Sequence, residues 1–100
     1  MVKMLVCYKP PADAEAFERR YLDGHLPLVR RYEHLADCSF ARVSRTLVGE
    51  TPYSHIFTGV WPERDGFKAD MASPIAAEAT EDAQRFATAG FDVFLLEELS

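Results

Sequence analysis

The segment at 53–61, Tyr-Ser-His-Ile-Phe-Thr-Gly-Val-Trp, is rich in aromatic and β-branched residues, which suit a pleated strand better than a helix. Alternate side chains of a strand face opposite sides of its sheet. Tyr53, Phe57 and Trp61 therefore share one side, and Ile56 and Val60 the other. The same two-sidedness recurs at 2–8, where Val2, Met4 and Val6 oppose Leu5 and Cys7. It recurs again at 91–97, where Phe91, Val93 and Leu95 oppose Phe94 and Leu96. A sheet made of such strands needs cover on both faces. Helices of the same chain can cover one. The other would be an unusually large apolar patch, unfavourable by about 25 cal/mol for each Å² left in water. A second copy of the sheet removes that surface, so a homodimer with sheets facing each other is expected.

The rest of the chain supplies the helices. The first strand ends at Pro10-Pro11, where prolines stop a ladder. Asp13 is placed to cap the next helix. Phe17, Tyr21, His25, Leu28, Val29 and Tyr32 then recur at spacings of three and four, the signature of one helical stripe. A helix over about 13–32 is predicted, with a defect near Gly24–Pro27 because proline cannot donate a backbone hydrogen bond. A second strand follows at 38–45, a connection at 46–52 and a short helix at 63–71. Ser73-Pro74 opens the last helix, whose buried stripe is Ile75, Ala76, Ala79, Ala83 and Phe86. Gly90 is its expected left-handed stop. The order is βαββαβ in one domain, 1–100. That is an α+β, ferredoxin-like arrangement: a four-stranded antiparallel sheet with helices on one face.

The helical stripe also holds the candidate chemistry. His25 shares its face with Tyr21 and Phe17, beside the backbone that Pro27 disturbs. A histidine there suits general acid or base catalysis. Its structural alternative is a core histidine bonded to a carbonyl that the proline frees. Tyr21 either assists His25 or packs with its hydroxyl at an edge. His55, Tyr8, Phe57 and Trp61 are candidate substrate-binding residues. Tyr8 is expected at a cavity mouth, His55 in the cavity or paired across the sheet, and Phe57 and Trp61 in an aromatic wall or the ordinary core.

Several classes are disfavoured. The net charge is −5 and the basic residues are scattered, unlike the basic patch of a nucleic-acid module. No apolar run approaches the roughly 20 residues that span a bilayer, and no secretory leader pattern is present, so a cytoplasmic location is expected. Cys7 and Cys38 read as inert thiols. No metal-ligand spacing, phosphate loop or nucleophile elbow occurs. No metal and no tightly bound cofactor are expected.

With this order, and with Tyr8-Lys9-Pro10 ahead of Phe17, Tyr21 and His25-x-Pro27-Leu28, the chain resembles the EthD family, named for a role in breaking down an alkyl ether. The likeness extends to Pro52-Tyr53, Ala72-Ser73-Pro74, Phe86-Ala87-Thr88 and Gly90, and so covers essentially the whole chain. It implies a dimeric α/β barrel. Relatives on that fold include lactone isomerases, cofactor-free monooxygenases, polyketide dehydratases or cyclases, and proteins of unknown role. Among site residues, the position of His25 carries over. The expected function is a small catabolic or biosynthetic protein acting on an apolar aromatic, lactone or ether-derived metabolite. The rivals are an accessory protein that holds such a ligand for a partner monooxygenase, and a purely structural barrel.

Overall fold

A computed structural model describes residues 1–100. The chain runs β1 (Val2–Tyr8), α1 (Ala14–Arg20), a widened π-helical turn (Tyr21–His25), α2 (Leu26–Val29), β2 (Asp37–Arg42), β3 (His55–Trp61), α3 (Arg64–Met71), α4 (Pro74–Phe86) and β4 (Phe91–Leu96). The strands form one sheet in the order β2-β3-β1-β4, with every neighbouring pair antiparallel. This is the ferredoxin-like arrangement expected from the order of elements. No helix is long and apolar enough to cross a membrane.

Local signals set the helix starts. The Asp13 carboxylate accepts from the Ala16 N–H at 3.1 Å, and the Ser73 hydroxyl accepts from the Ala76 N–H at 3.4 Å. Each satisfies a donor that the first helical turn leaves unpaired. Gly90 takes φ +104°, in the region that glycine adopts without steric penalty. It does not directly close α4, which ends earlier on Ala87. Instead its carbonyl accepts from the Lys9 N–H at 3.0 Å, which turns the chain into β4 beside β1.

Register sorts the strand residues between two faces. Val6 lies opposite Phe57, Tyr8 opposite His55 and Val2 opposite Trp61, and this side carries the buried core with Phe17, Tyr21 and Val29 from the helices. The other side carries Leu5 opposite Phe94, Lys3 opposite Leu96 and Cys7 opposite Asp92. Phe94 and Leu96 are 41% and 42% exposed, so the apolar character of both faces is as the alternation required.

Tyr53 departs from the expected pattern. It precedes β3, and its hydroxyl donates to Asp92 at 2.7 Å. Asp92 belongs to the open side, so Tyr53 does not share the face of Phe57 and Trp61. The second strand is also shorter than expected. Past Arg42, Val43 still donates to the Ser54 carbonyl at 2.8 Å.

One buried acid ties α3 to the sheet. Asp70 is buried and accepts from Trp61 Nε1 at 2.7 Å and from the His34 backbone N–H at 3.0 Å. Trp61→Phe removes one donor from a buried carboxylate and leaves a void where the larger ring stood. We expect a loss of about 2–4 kcal/mol, measured by urea denaturation.

Candidate functional site

Pro27 shapes the site from the backbone outward. In a regular helix its ring would press on the carbonyl four residues earlier, and it has no N–H to donate. The helix does not break there, as the sequence suggested. It widens one turn earlier, so that the Leu26 N–H reaches the Tyr21 carbonyl five residues back. Turns of this kind are rare and concentrate at functional sites. The widened turn carries Tyr21 and His25, both buried.

His25 does not bond a freed backbone carbonyl. Its Nδ1 lies 2.9 Å from Asp82 Oδ2. Asp82 sits on α4, three residues after Ala79 and four before Phe86, on the side turned toward the widened turn. Arg20 holds the same carboxylate through both terminal nitrogens, one of them 3.3 Å from Oδ2. Its guanidinium also rests 5.1 Å from the Phe86 ring centre. Gly24 makes room for this clamp, because a Cβ at that position would stand 2.5 Å from Arg20 Nη1.

The electrostatics assign the protons. Hydrogen bonding from Arg20, against the effect of burial, holds the Asp82 carboxyl below its ordinary value, with His25 adding to the fall. The ionised carboxylate can only accept, so Nδ1 of His25 donates. Burial pushes the His25 pKa below the usual histidine range, although the bond to Asp82 pulls the other way. The imidazole is therefore neutral at pH 7, with its bare nitrogen at Nε2. That atom has no protein partner, while the residue lines a cavity.

The cavity lies between the sheet and the helices and has a volume of about 240 Å³. Its wall is largely apolar: Val6 and Phe57 from the sheet, Val29 from α2, and Ala76, Ala79 and Ala83 from α4. The small alanines of α4 leave the space open. Tyr8 and Tyr21 also line it. Tyr21 is 0% exposed and its hydroxyl has no hydrogen-bond partner, an unusual condition for a buried polar atom. Burial raises the pKa of both tyrosines, so both hydroxyls keep their protons. Phe40 stacks flat on Tyr21 at 3.6 Å between ring centres.

Four of the residues singled out from sequence thus meet at one cavity: His25, Tyr21, Tyr8 and Phe57. Tyr8 is buried in the wall and does not stand at a mouth. His55 and Trp61 lie outside the lining. Trp61 serves Asp70. His55 has both nitrogens engaged, with Nε2 donating to Glu18 at 2.8 Å and Nδ1 meeting the Ser54 hydroxyl at 2.7 Å. Hydrogen bonds from Arg42 and then His55 hold the Glu18 carboxyl down at about 2. This second histidine–carboxylate chain is complete without a ligand, whereas the first is open at Nε2.

Sequence reasoning missed Asp82 and Arg20. The available signal was Asp82 itself, an acid next to the Ala79–Ala83–Phe86 stripe of a helix destined to pack on His25. Arg20 is one of the scattered basic residues, and nothing local marks it as a partner of Asp82.

The His25 proton equilibrium has a consequence for stability. In the unfolded chain histidine titrates near 6.5, above its folded value here. On acidification the unfolded chain therefore takes up the proton first. Stability from this residue is full above about pH 6.5 and is lost as pH falls from there through the folded value. Urea midpoints at about pH 7.5 and about pH 5 should fall more for the wild type than for His25→Gln.

Comparison with known proteins agrees with this architecture. No family model matches the chain. An uncharacterized 11.0 kDa protein of the thcB-thcC intergenic region of Rhodococcus erythropolis is 25% identical over 99 residues, covering 98% of this chain and 95% of that protein. The crystal structure of an EthD family protein from Bacillus halodurans superposes with a TM-score of 0.89 at 25% identity, covering 99% of both chains. SnoaB of Streptomyces nogalater, a cofactor-independent oxygenase, gives a TM-score of 0.71 at 13% identity over 99% of this chain and 93% of that one. A dimeric ferredoxin-like protein of unknown function from Thermobifida fusca gives 0.72 at 12% identity over 97% and 90%. The chain is EthD-like, with the ferredoxin-like fold of that family.

Proposed function

We propose that this protein is a small enzyme of acid–base chemistry, in which His25 moves a proton on an apolar metabolite held between sheet and helices. The observation that carries this reading is the asymmetry of His25: Nδ1 is fixed by Asp82, Nε2 has no protein partner, and the residue lines a largely apolar cavity. A neutral imidazole with one orientation and one free lone pair is a general base.

In the forward step Nε2 takes a proton from an acidic C–H or O–H of the substrate. The bonding electron pair stays on the substrate and delocalises onto an adjacent oxygen. The imidazolium then faces Asp82, whose negative charge stabilises it. Returning the proton to another carbon gives isomerisation; delivering it to a departing oxygen gives dehydration. Tyr21 or Tyr8 can donate to the oxygen that gains charge. General acid–base assistance supplies about 10²–10⁴-fold. A fold neighbour described as a cofactor-independent oxygenase supports catalysis on this scaffold without a bound cofactor. Phe57 is a wall residue in this reading, and His55 and Trp61 support the wall from behind.

The assembly we propose is a homodimer through the open side of the sheet, where Leu5, Phe94 and Leu96 meet a second copy. The exposed apolar residues there and a fold neighbour described as dimeric support it. Sedimentation equilibrium should give twice 11.3 kDa, and Phe94→Arg should shift the protein toward monomer.

The catalytic reading is tested by proton NMR in D₂O with a set of small ketones and lactones. Wild-type protein should catalyse deuteration at the acidic carbon of at least one, and His25→Gln should lower that rate by about 10²-fold or more. Binding with no deuteration by the wild type would instead favour an accessory protein that delivers an apolar ligand to a partner monooxygenase.

A further inference from the structure

The cavity is more selective than its apolar wall alone suggests. Resting on the reading of His25 as a base, we infer that it takes uncharged molecules of one or two rings bearing a single oxygen acceptor for the tyrosine pair. Three features of the site lead there.

The first is volume. A protein cavity of about 150 Å³ accommodates benzene, or roughly 25 Å³ for each non-hydrogen atom. At the same density the 240 Å³ here holds about ten such atoms. That is a fused pair of six-membered rings, or one substituted ring. Its buried wall is formed by Tyr8 and Phe57 of the sheet, Tyr21 of the widened turn, and Ala79 and Ala83 of α4, while Val93, which also lines it, is 52% exposed.

The second is charge. No lysine or arginine lines the cavity. Behind the wall His25 bonds the ionised Asp82, whose charge Arg20 pairs from the surface side. A carboxylate entering here would lose its hydration and meet no cation in the wall to offset that loss. A neutral molecule meets none of these penalties. It becomes anionic only by handing its proton to His25, at which point the imidazolium faces it.

The third is the Tyr21 hydroxyl, which is buried without a partner in the free protein. Leaving a buried donor unpaired is unfavourable, and a ligand acceptor that pairs with it regains that free energy on binding. Tyr8 lies against it, with 5.7 Å between ring centres, and its neutral hydroxyl acts on that of Tyr21 without reaching hydrogen-bond geometry. A carbonyl or ether oxygen has only lone pairs to offer and fits a site rich in hydroxyl donors. A hydrocarbon of the same shape leaves Tyr21 unpaired.

The experiment measures dissociation constants by calorimetry for four probes: 2-tetralone, naphthalene, 2-naphthoate and anthrone. The ketone 2-tetralone should bind at least about tenfold more tightly than each of the others. Naphthalene lacks the acceptor, the naphthoate carries the charge and anthrone adds a third ring. Tyr21→Phe should bring 2-tetralone to within about threefold of naphthalene. Its melting temperature should not fall, because the substitution removes an unpaired polar atom. Ala83→Leu fills the cavity and should abolish binding of 2-tetralone and of naphthalene while the fold persists by circular dichroism.

Equal affinity for naphthalene and 2-tetralone, or an unchanged gap in Tyr21→Phe, overturns the role of the hydroxyl. Tight binding of 2-naphthoate overturns the exclusion of charge, and tight binding of anthrone overturns the size limit. The two readings fail separately. His25→Gln should keep the order of affinities, since binding does not need the base. Preserved order with no deuteration by the wild type therefore rejects catalysis and leaves the ligand class standing.

Discussion

The bond between His25 and Asp82 joins the two halves of the helical layer. One partner stands on the widened turn and the other on α4. Each needs the other for a different reason. A partly buried carboxylate gains from being paired, and a buried imidazole with no partner at Nδ1 would leave a donor unsatisfied. Arg20, the last residue of α1, completes the chain at the surface by clamping Asp82 of α4. The result is a histidine fixed in one orientation and one tautomer, with a single nitrogen left over. The apolar cavity that His25 lines stays open because α4 brings alanines, not larger residues, to the sheet.

The fold was legible because several local signals agree. The βαββαβ order follows from Pro10-Pro11, from the Phe17-to-Tyr32 spacing and from Ser73-Pro74, and each marks a boundary close to the observed one. The two-sided strands are equally plain, since alternation reads directly onto a sheet. Tyr53 was misplaced because alternation holds only inside a strand, and the strand begins at His55. The defect at Pro27 was visible, but not its form. Whether a helix breaks or widens at a proline depends on what packs around it, and the packing of Tyr21 and His25 on Phe86 and Phe40 keeps the turn closed.

The site was legible in part for the same reason. His25 and Tyr21 lie on an apolar stripe, and polar groups on such a stripe must find partners. The partner was not legible: Asp82 is 57 residues away, and only the tertiary fold brings α4 beside the turn. His55 illustrates the converse. Its sequence context matches that of a site residue, yet both its nitrogens are taken by Glu18 and Ser54. Two histidines of similar burial thus differ by one unfilled hydrogen-bond position.

The central claim is that His25 is a neutral base with its proton on Nδ1 and its lone pair at Nε2. Long-range nitrogen–proton correlation NMR of ¹⁵N-labelled protein measures this directly, because the two ring nitrogens of neutral histidine have well-separated shifts when one carries the proton. The account requires a protonated Nδ1 and a bare Nε2 at neutral pH, with the transition to imidazolium below the usual histidine range of about 6.5. A proton on Nε2 in the neutral form, or an imidazolium persisting at pH 7, would contradict it.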